Sequence, residues 1–243
     1  MMRITFVGTG DAFGSGGRMN TCFHVETATF NFLIDCGAGT LSGLKKFKLV
    51  PNSIVVIFIS HFHGDHYGGL PFFLLDAAIN ERKEPLTIIG PAGCRDKVVQ
   101  LLDLLYPGTE VLEKLQVEFI AFVPDRAFVH EHYTLLALPV IHTAASLPHG
   151  LRIETAGRVI SYSGDTEWTD NLFRLAEDAD LFICECNFFS MQVKGHLSFQ
   201  VLQEKLPELR SKRMILTHLG NEMLENLHKV DLSCAHDGKV LEL

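Results

Sequence analysis

Ile54-Val55-Val56-Ile57-Phe58-Ile59-Ser60-His61-Phe62-His63-Gly64-Asp65-His66 is the stretch from which the rest of the chain can be read. Its first half is apolar and mostly β-branched, which predicts a strand buried on both faces. Directly behind it come three imidazoles and a carboxylate, the ligands that divalent transition metals take. On an extended segment His61 and His63 share one side, and Asp65 and His66 follow one turn later. Ligands this dense suffice for two neighbouring ions. Gly68-Gly69 then frees the backbone ahead of an apolar helix over 70–82 that starts at Leu70-Pro71.

Around this centre, 243 residues with 47% hydrophobic and 21% charged composition describe an ordinary globular chain with a substantial core. A net charge of −8 argues against a broad nucleic-acid surface, which needs a basic stripe. Lys45-Lys46 with Lys48, and Lys212-Arg213, read as solvated edges. The expected partner is a small anion, drawn to a site that bound dications make locally positive. No run has the length of a membrane span, and the opening residues read as a strand rather than a signal peptide. A cytoplasmic location without a membrane partner is therefore expected. Six scattered cysteines fit buried thiols in a reducing compartment. Cys184 and Cys186 share one strand face, where core packing is favoured over a thiolate metal site.

Strand and helix signals alternate along the chain. Strands are predicted over 3–7, 21–26, 30–35, 54–60, 86–89, near 115–122 and 133–140, and over 149–155, 158–163, 181–184, 214–217 and 239–243. Helices are predicted over 40–48, 70–82, 93–105, 169–177 and 198–206. The loop after Gly8-Thr9-Gly10 lacks the helix that a dinucleotide fingerprint requires. Asp237-Gly238 reads as a hairpin turn. Asp35, His61, His142, Asp165 and His218 each directly follow a predicted strand, so that polar residues from several strands gather at a sheet rim. No linker divides the chain. One domain over 1–243 is expected, built of two similar halves: two sheets packed together with helices outside.

The pattern His61-x-His63-x-Asp65-His66, then His142, then Asp165 in Ser-Gly-Asp-Thr, then His218 in Leu-Thr-His-Leu resembles the metallo-β-lactamase superfamily. Asp35 completes the order of motifs. The resemblance implies a four-layer αββα sandwich of two mixed sheets, and a hydrolytic site with two divalent ions per chain. Zn2+ is the usual metal, with Mn2+ or Fe2+ as alternatives. His61, His63 and His142 would hold one ion, Asp65, His66 and His218 the other, with Asp165 between them. Asp35 would orient a ligand imidazole from behind. Core or turn roles remain the alternatives for His142, Asp165, His218 and Asp35 taken singly.

Within the superfamily, Val7-Gly8-Thr9-Gly10, Arg18 before Asn20, and Ile34-Asp35-Cys36-Gly37 are similar to the ribonuclease Z-like branch and its small phosphodiesterase relatives. Glu185, followed by Gly195-His196-Leu197-Ser198, adds the pair that in this branch passes a proton to the leaving oxygen. Asp65, Glu185 and His196 are thus the catalytic candidates. A homodimer is the branch's usual assembly. Two departures weaken a transfer-RNA role: only 22 residues separate His142 from Asp165, leaving no room for a substrate-gripping arm, and the terminal motif lacks an aromatic-basic ending.

The expected activity is a dinuclear zinc phosphodiesterase acting on a small diester such as a cyclic nucleotide, by way of a hydroxide shared between the ions. The alternatives are a carboxyl-ester, thioester or lactone hydrolase, a transfer RNA 3′-processing endoribonuclease, and a non-catalytic scaffold.

Overall fold

Each unit of this molecule is built on one mixed sheet. The structure, a computed structural model, describes residues 2–243; Met1 lies outside it. Two units share the chain: one holds the segment up to Gly8, Met19–Phe122 and Asp237–Glu242, the other Thr9–Arg18, Val123–His236 and Leu243.

In the first unit, β1 (Arg3–Gly8), β2 (Cys22–Glu26), β3 (Asn31–Ile34), β4 (Ile54–Phe58), β5 (Leu86–Gly90) and β6 (Val117–Ala121) lie side by side in that order. The last strand, β13 (Val240–Glu242), pairs with the free edge of β1. Pairing is antiparallel from β13 to β3 and parallel from β3 to β6. Parallel neighbours need crossovers. Those on this side are α1 (Thr40–Lys46), the single turn α2 (Gly64–Tyr67), α3 (Leu70–Ile79) and α4 (Cys94–Leu105).

Val7, Leu33, Ile57 and Ile88 on one sheet face form a buried cluster with Leu44, Leu70, Phe73, Leu74, Val98 and Leu102 of the helices. The alternate residues Ile4, Phe6, Phe23, Phe32 and Phe58 are equally buried. Their rings meet edge to face, Phe6 on Phe23 at 5.2 Å and Phe32 on Phe58 at 5.4 Å. Both faces of β4 are thus covered, as its unbroken apolar run predicts. Each such side chain contributes roughly 1.5–3 kcal/mol.

The second unit carries β7 (Phe128–Val129), β8 (Tyr133–Pro139), β9 (His149–Thr155), β10 (Arg158–Tyr162), β11 (Leu181–Glu185) and β12 (Met214–Thr217). Here β7 to β10 pair antiparallel and β10 to β12 parallel. Helices α5 (Asn171–Ala176), α6 (Phe199–Lys205) and α7 (Asn221–Glu225) accompany them. Leu172, Leu175, Leu202 and Met223 from these helices share a buried cluster with Phe182, Cys184, Cys186 and Leu216. Cys184 and Cys186 therefore face the core together, and burial pushes both thiols well above their ordinary range.

Several boundaries depart from expectation. The helix expected over 70–82 stops at Ile79, because Arg82 turns its guanidinium onto the carbonyls of Ile54, Glu84 and Pro85. The turn at Asp237-Gly238 closes no hairpin; it delivers β13 to β1, and Asp237 instead accepts from the Met19 amide at 2.8 Å. The two-residue strand β7 and the helix α7 were too short to announce themselves.

Candidate metal centre

Among the sequence-predicted residues, Asp35 and His218 do follow their strands directly, whereas two residues intervene before His61, His142 and Asp165. Before His61 the intervening backbone is held by bonds outside the regular ladder, whereas Gly164 before Asp165 turns at φ +61. Ile59 donates to the Ile89 carbonyl at 2.8 Å, and the Ser60 amide donates to Asp35 Oδ1 at 2.8 Å.

In the first unit β3 and β4 run parallel, so Asp35 and the His61–His66 segment leave the same sheet edge. Backbone lacing fixes them: Asp35 donates to Phe58 at 2.8 Å, and Cys36 to the His66 carbonyl at 2.7 Å. Asp35 sits at φ +57, in the left-handed region that costs a non-glycine residue of order 1–3 kcal/mol. Gly37 allows the approach, since a Cβ there would lie 2.3 Å from the Asp65 carbonyl oxygen. The buried Asp35 carboxylate accepts from Nδ1 of His66 at 2.7 Å and from the Ser60 hydroxyl at 2.7 Å. The Ser60 oxygen, its proton spent on Asp35, accepts from Nδ1 of His61 at 3.0 Å. Burial pushes the Asp35 carboxyl upward, against the pull of His66 and Ser60.

One carboxylate therefore orients two imidazoles. The His61 ring meets that of His63 edge-on at 4.9 Å and lies tilted against that of His66 at 4.0 Å, and Asp65 Oδ2 lies 3.2 Å from Nε2 of His66.

In the second unit the register aligns the ends of β8, β10, β11 and β12, which deliver His142, Asp165, Glu185 and His218 to one edge. His142 donates from Nδ1 to the Gly195 carbonyl at 2.7 Å. Its Nε2 lies 4.0 Å from Asp165 Oδ2, and Nε2 of His218 lies 3.3 Å from the same oxygen. His218 takes φ +58, and its amide donates to Thr9 at 3.0 Å. Asn187 brings its amide to 3.0 Å from Nδ1 of His218.

Glu185, fully buried, accepts from the Thr166 amide at 2.6 Å and from Nδ1 of His196 at 3.1 Å. Burial raises its carboxyl, opposed chiefly by the His196 ring. The His196 ring lies 4.9 Å from that of His142 and stacks on that of His218 at 5.5 Å.

These residues fit divalent cations on their own chemistry. His61, His66 and His142 each commit Nδ1–H to an oxygen, so that Nε2 keeps its lone pair, the tautomer in which imidazole ligates. Lone pairs facing carboxylate oxygens at 3.2–4.0 Å repel each other until a cation lies between them.

Sequence reasoning missed four residues. Ser60 and Asn187 contact the rings of the candidate ligands His61 and His218. Glu167 accepts from the Gly195 amide at 2.8 Å, and Glu222 accepts from the amides of Phe189, Ser190 and Met191. For Ser60 the available signal was a lone hydroxyl wedged between an apolar strand and His61. The others are long-range partners that no local pattern marks.

A family model described as Anti-Pycsar protein Apyc1 matches residues 2–237. The chain is similar to a ribonuclease Z of Methanosarcina acetivorans, 26% identical over 95% of this chain and 91% of the relative. The probable metallo-hydrolase YhfI of Bacillus subtilis is 26% identical over 94% and 91%. The crystal structure of that metallo-β-lactamase fold protein superposes with a TM-score of 0.81 at 24% identity, covering both chains completely. The short form of human tRNase Z gives 0.81 at 27% identity, covering 99% of this chain and 98% of its own. The fold is thus the metallo-β-lactamase fold. No helix among the described residues is long and apolar enough to cross a membrane.

Proposed function

The chain belongs to the Anti-Pycsar protein Apyc1 family and is a metal-dependent hydrolase, and on that premise we propose that it is a dinuclear phosphodiesterase acting on a small diester such as a cyclic nucleotide. His61, His63 and His142 would hold one ion and Asp65, His66 and His218 the other, with Asp165 available to both, in a chain proposed to form one hydrolase domain. Zinc is the proposed metal, and the cytoplasm the proposed compartment. The bound ions supply Lewis acidity and a water activated at neutral pH.

The observation that carries this reading is the common orientation of His61, His66 and His142, each anchored through Nδ1. His149 is anchored through Nδ1 as well, to the Leu147 carbonyl at 2.8 Å, but at His66 and His142 the Nε2 atom also faces a carboxylate, at 3.2 and 4.0 Å. With all the ligand positions filled by competent side chains, the scaffold alternative falls.

The remaining steps belong to the chain's own residues. As the water oxygen bonds to phosphorus and the bond to the departing oxygen breaks, that oxygen needs a proton. His196, held at Nδ1 by the buried Glu185, delivers it from Nε2. The Glu185 carboxylate stabilises the imidazolium before delivery and keeps the ring oriented.

Parallel assays of the metal-loaded protein test the proposal, using 3′,5′-cyclic nucleotides, an aryl phosphodiester, a lactone and precursor transfer RNA. The diesters are expected to be hydrolysed with the highest kcat/KM for the cyclic nucleotides. Preferential turnover of the lactone or of the transfer RNA would replace it.

A further inference from the structure

A cavity of about 390 Å3 opens beside His196 within the second unit, lined by Glu167, Trp168, Gln192, Lys194, Ser198 and Val201 among others. Phosphate chemistry does not require these residues. His196 is the one side chain that the cavity shares with the proton-delivering pair. A somewhat larger cavity of about 460 Å3, around His130 and His132, lies at the opposite end of β8 and holds none of the ligands.

The wall of the smaller cavity is held from several sides. Glu222 gathers the amides of Phe189, Ser190 and Met191 and the Ser190 hydroxyl, at 2.7–3.3 Å. Although burial alone would raise it, these hydrogen bonds keep the Glu222 carboxyl below its ordinary range. Glu167 holds the Gly195 amide at 2.8 Å, and the His196 amide donates to the Val193 carbonyl at 3.1 Å. Trp168 is braced edge-on by Phe173 at 5.1 Å, with the Lys205 ammonium 5.6 Å from its ring centre. A braced indole beside an amide and an ammonium is the equipment for a flat, hydrogen-bonding heterocycle.

We propose that this cavity is the nucleobase subsite of the enzyme, with Trp168 as the stacking platform and Gln192 and Lys194 reading the base edge. The assignment names a specificity element of the phosphodiesterase site and rests on that reading. Its position fits the proposed chemistry. A cyclic mononucleotide whose departing oxygen meets His196 carries its base within one sugar ring of that atom, and the cavity begins at His196.

Two measurements test it. Trp168 is the sole tryptophan, so its fluorescence reports the cavity directly. Titration of metal-free protein with a nucleoside 5′-monophosphate is expected to quench the indole saturably, whereas ribose 5-phosphate is expected to leave it unchanged. Equal responses to the two, or none to either, would overturn the assignment. Quenching by a short single-stranded RNA at lower concentration than by the mononucleotide would overturn it too, assigning the cavity to an RNA end.

In turnover, Trp168→Ala is expected to raise KM for a cyclic nucleotide about tenfold or more. Its effect on the base-free sugar cyclic phosphate is expected to be negligible, with Trp168→Phe restoring most of the loss. Equal losses on both substrates would reveal a merely structural tryptophan and refute the subsite. If the metal-loaded enzyme hydrolysed neither diester, the phosphodiesterase reading would fail, and the quenching experiment would still decide the subsite.

Discussion

Asp35 and His66 meet in complete burial, Oδ2 to Nδ1 at 2.7 Å, and the same carboxylate oxygen reaches His61 through the Ser60 hydroxyl. A residue outside the proposed ligand set therefore sets the direction of two within it. Asp35→Ala leaves the His66 Nδ1–H buried without its acceptor and releases the Ser60 relay. Metal affinity is expected to drop about 10–100-fold, and stability by roughly 1–3 kcal/mol. Competition titration against a chelator, paired with denaturant unfolding, checks both. Unchanged affinity would show that the imidazoles are oriented by something else.

Gly195 does two jobs at once. It takes φ +88, and a Cβ there would stand 2.6 Å from Nδ1 of His142, the atom that donates to the Gly195 carbonyl. Gly195→Ala is expected to displace the His142 ring and cut turnover severely, with a stability loss of about 1–3 kcal/mol. Gly64→Ala is the control, since its added methyl meets nothing within 4 Å. Comparable activity in the two variants would contradict the assigned orientation of His142.

Asp165 and His196 predict different losses. Asp165→Ala is expected to lose bound metal, read by elemental analysis, and nearly all turnover. His196→Ala should retain metal while slowing an alkyl phosphodiester by about 10²–10⁴-fold. An activated aryl diester, whose leaving group needs no proton, should be nearly unaffected. Full speed on the alkyl diester would remove the proton-delivery role.

His24 makes stability depend on pH independently of the metal centre. It lies on β2, 2% exposed, with neither ring nitrogen hydrogen-bonded among the described residues, and burial followed by the nearby Arg3 lowers its pKa to about 4. Above pH 6.5 the ring is neutral in both folded and unfolded chains and adds no pH dependence. As pH falls below 6.5, the unfolded chain takes up the proton first. Stability is then lost progressively until about pH 4, approaching roughly 3 kcal/mol in total. His24→Leu should flatten this window in unfolding curves taken between pH 7 and 4. An unaltered slope would place the acid sensitivity elsewhere.

Most elements were legible because their signals are local. An apolar, mostly β-branched run marks β4, an apolar run of four residues marks β11, and a glycine directly ahead marks α3 and α4. Short β7 and α7 were missed, since two to five residues carry too little pattern to stand apart from loop. The Glu185–His196 contact was implied by the resemblance to the ribonuclease Z-like branch, and Nδ1 of His196 does lie 3.1 Å from Glu185. By contrast, Asn187, Glu167 and Glu222 are ordinary polar loop residues until the fold brings them to His218, Gly195 and Phe189–Met191.

The sequence by itself determined which side chains are able to bind cations, because ligand chemistry resides in the residue type and the cluster from His61 to His66 is contiguous. Only the tertiary structure decided which nitrogen each imidazole presents. That choice is made by acceptors supplied from elsewhere in the chain: Asp35 lies 31 positions from His66, and Gly195 lies 53 from His142. Hydrogen-bond direction depends on angstrom-scale placement, which no spacing along the chain encodes.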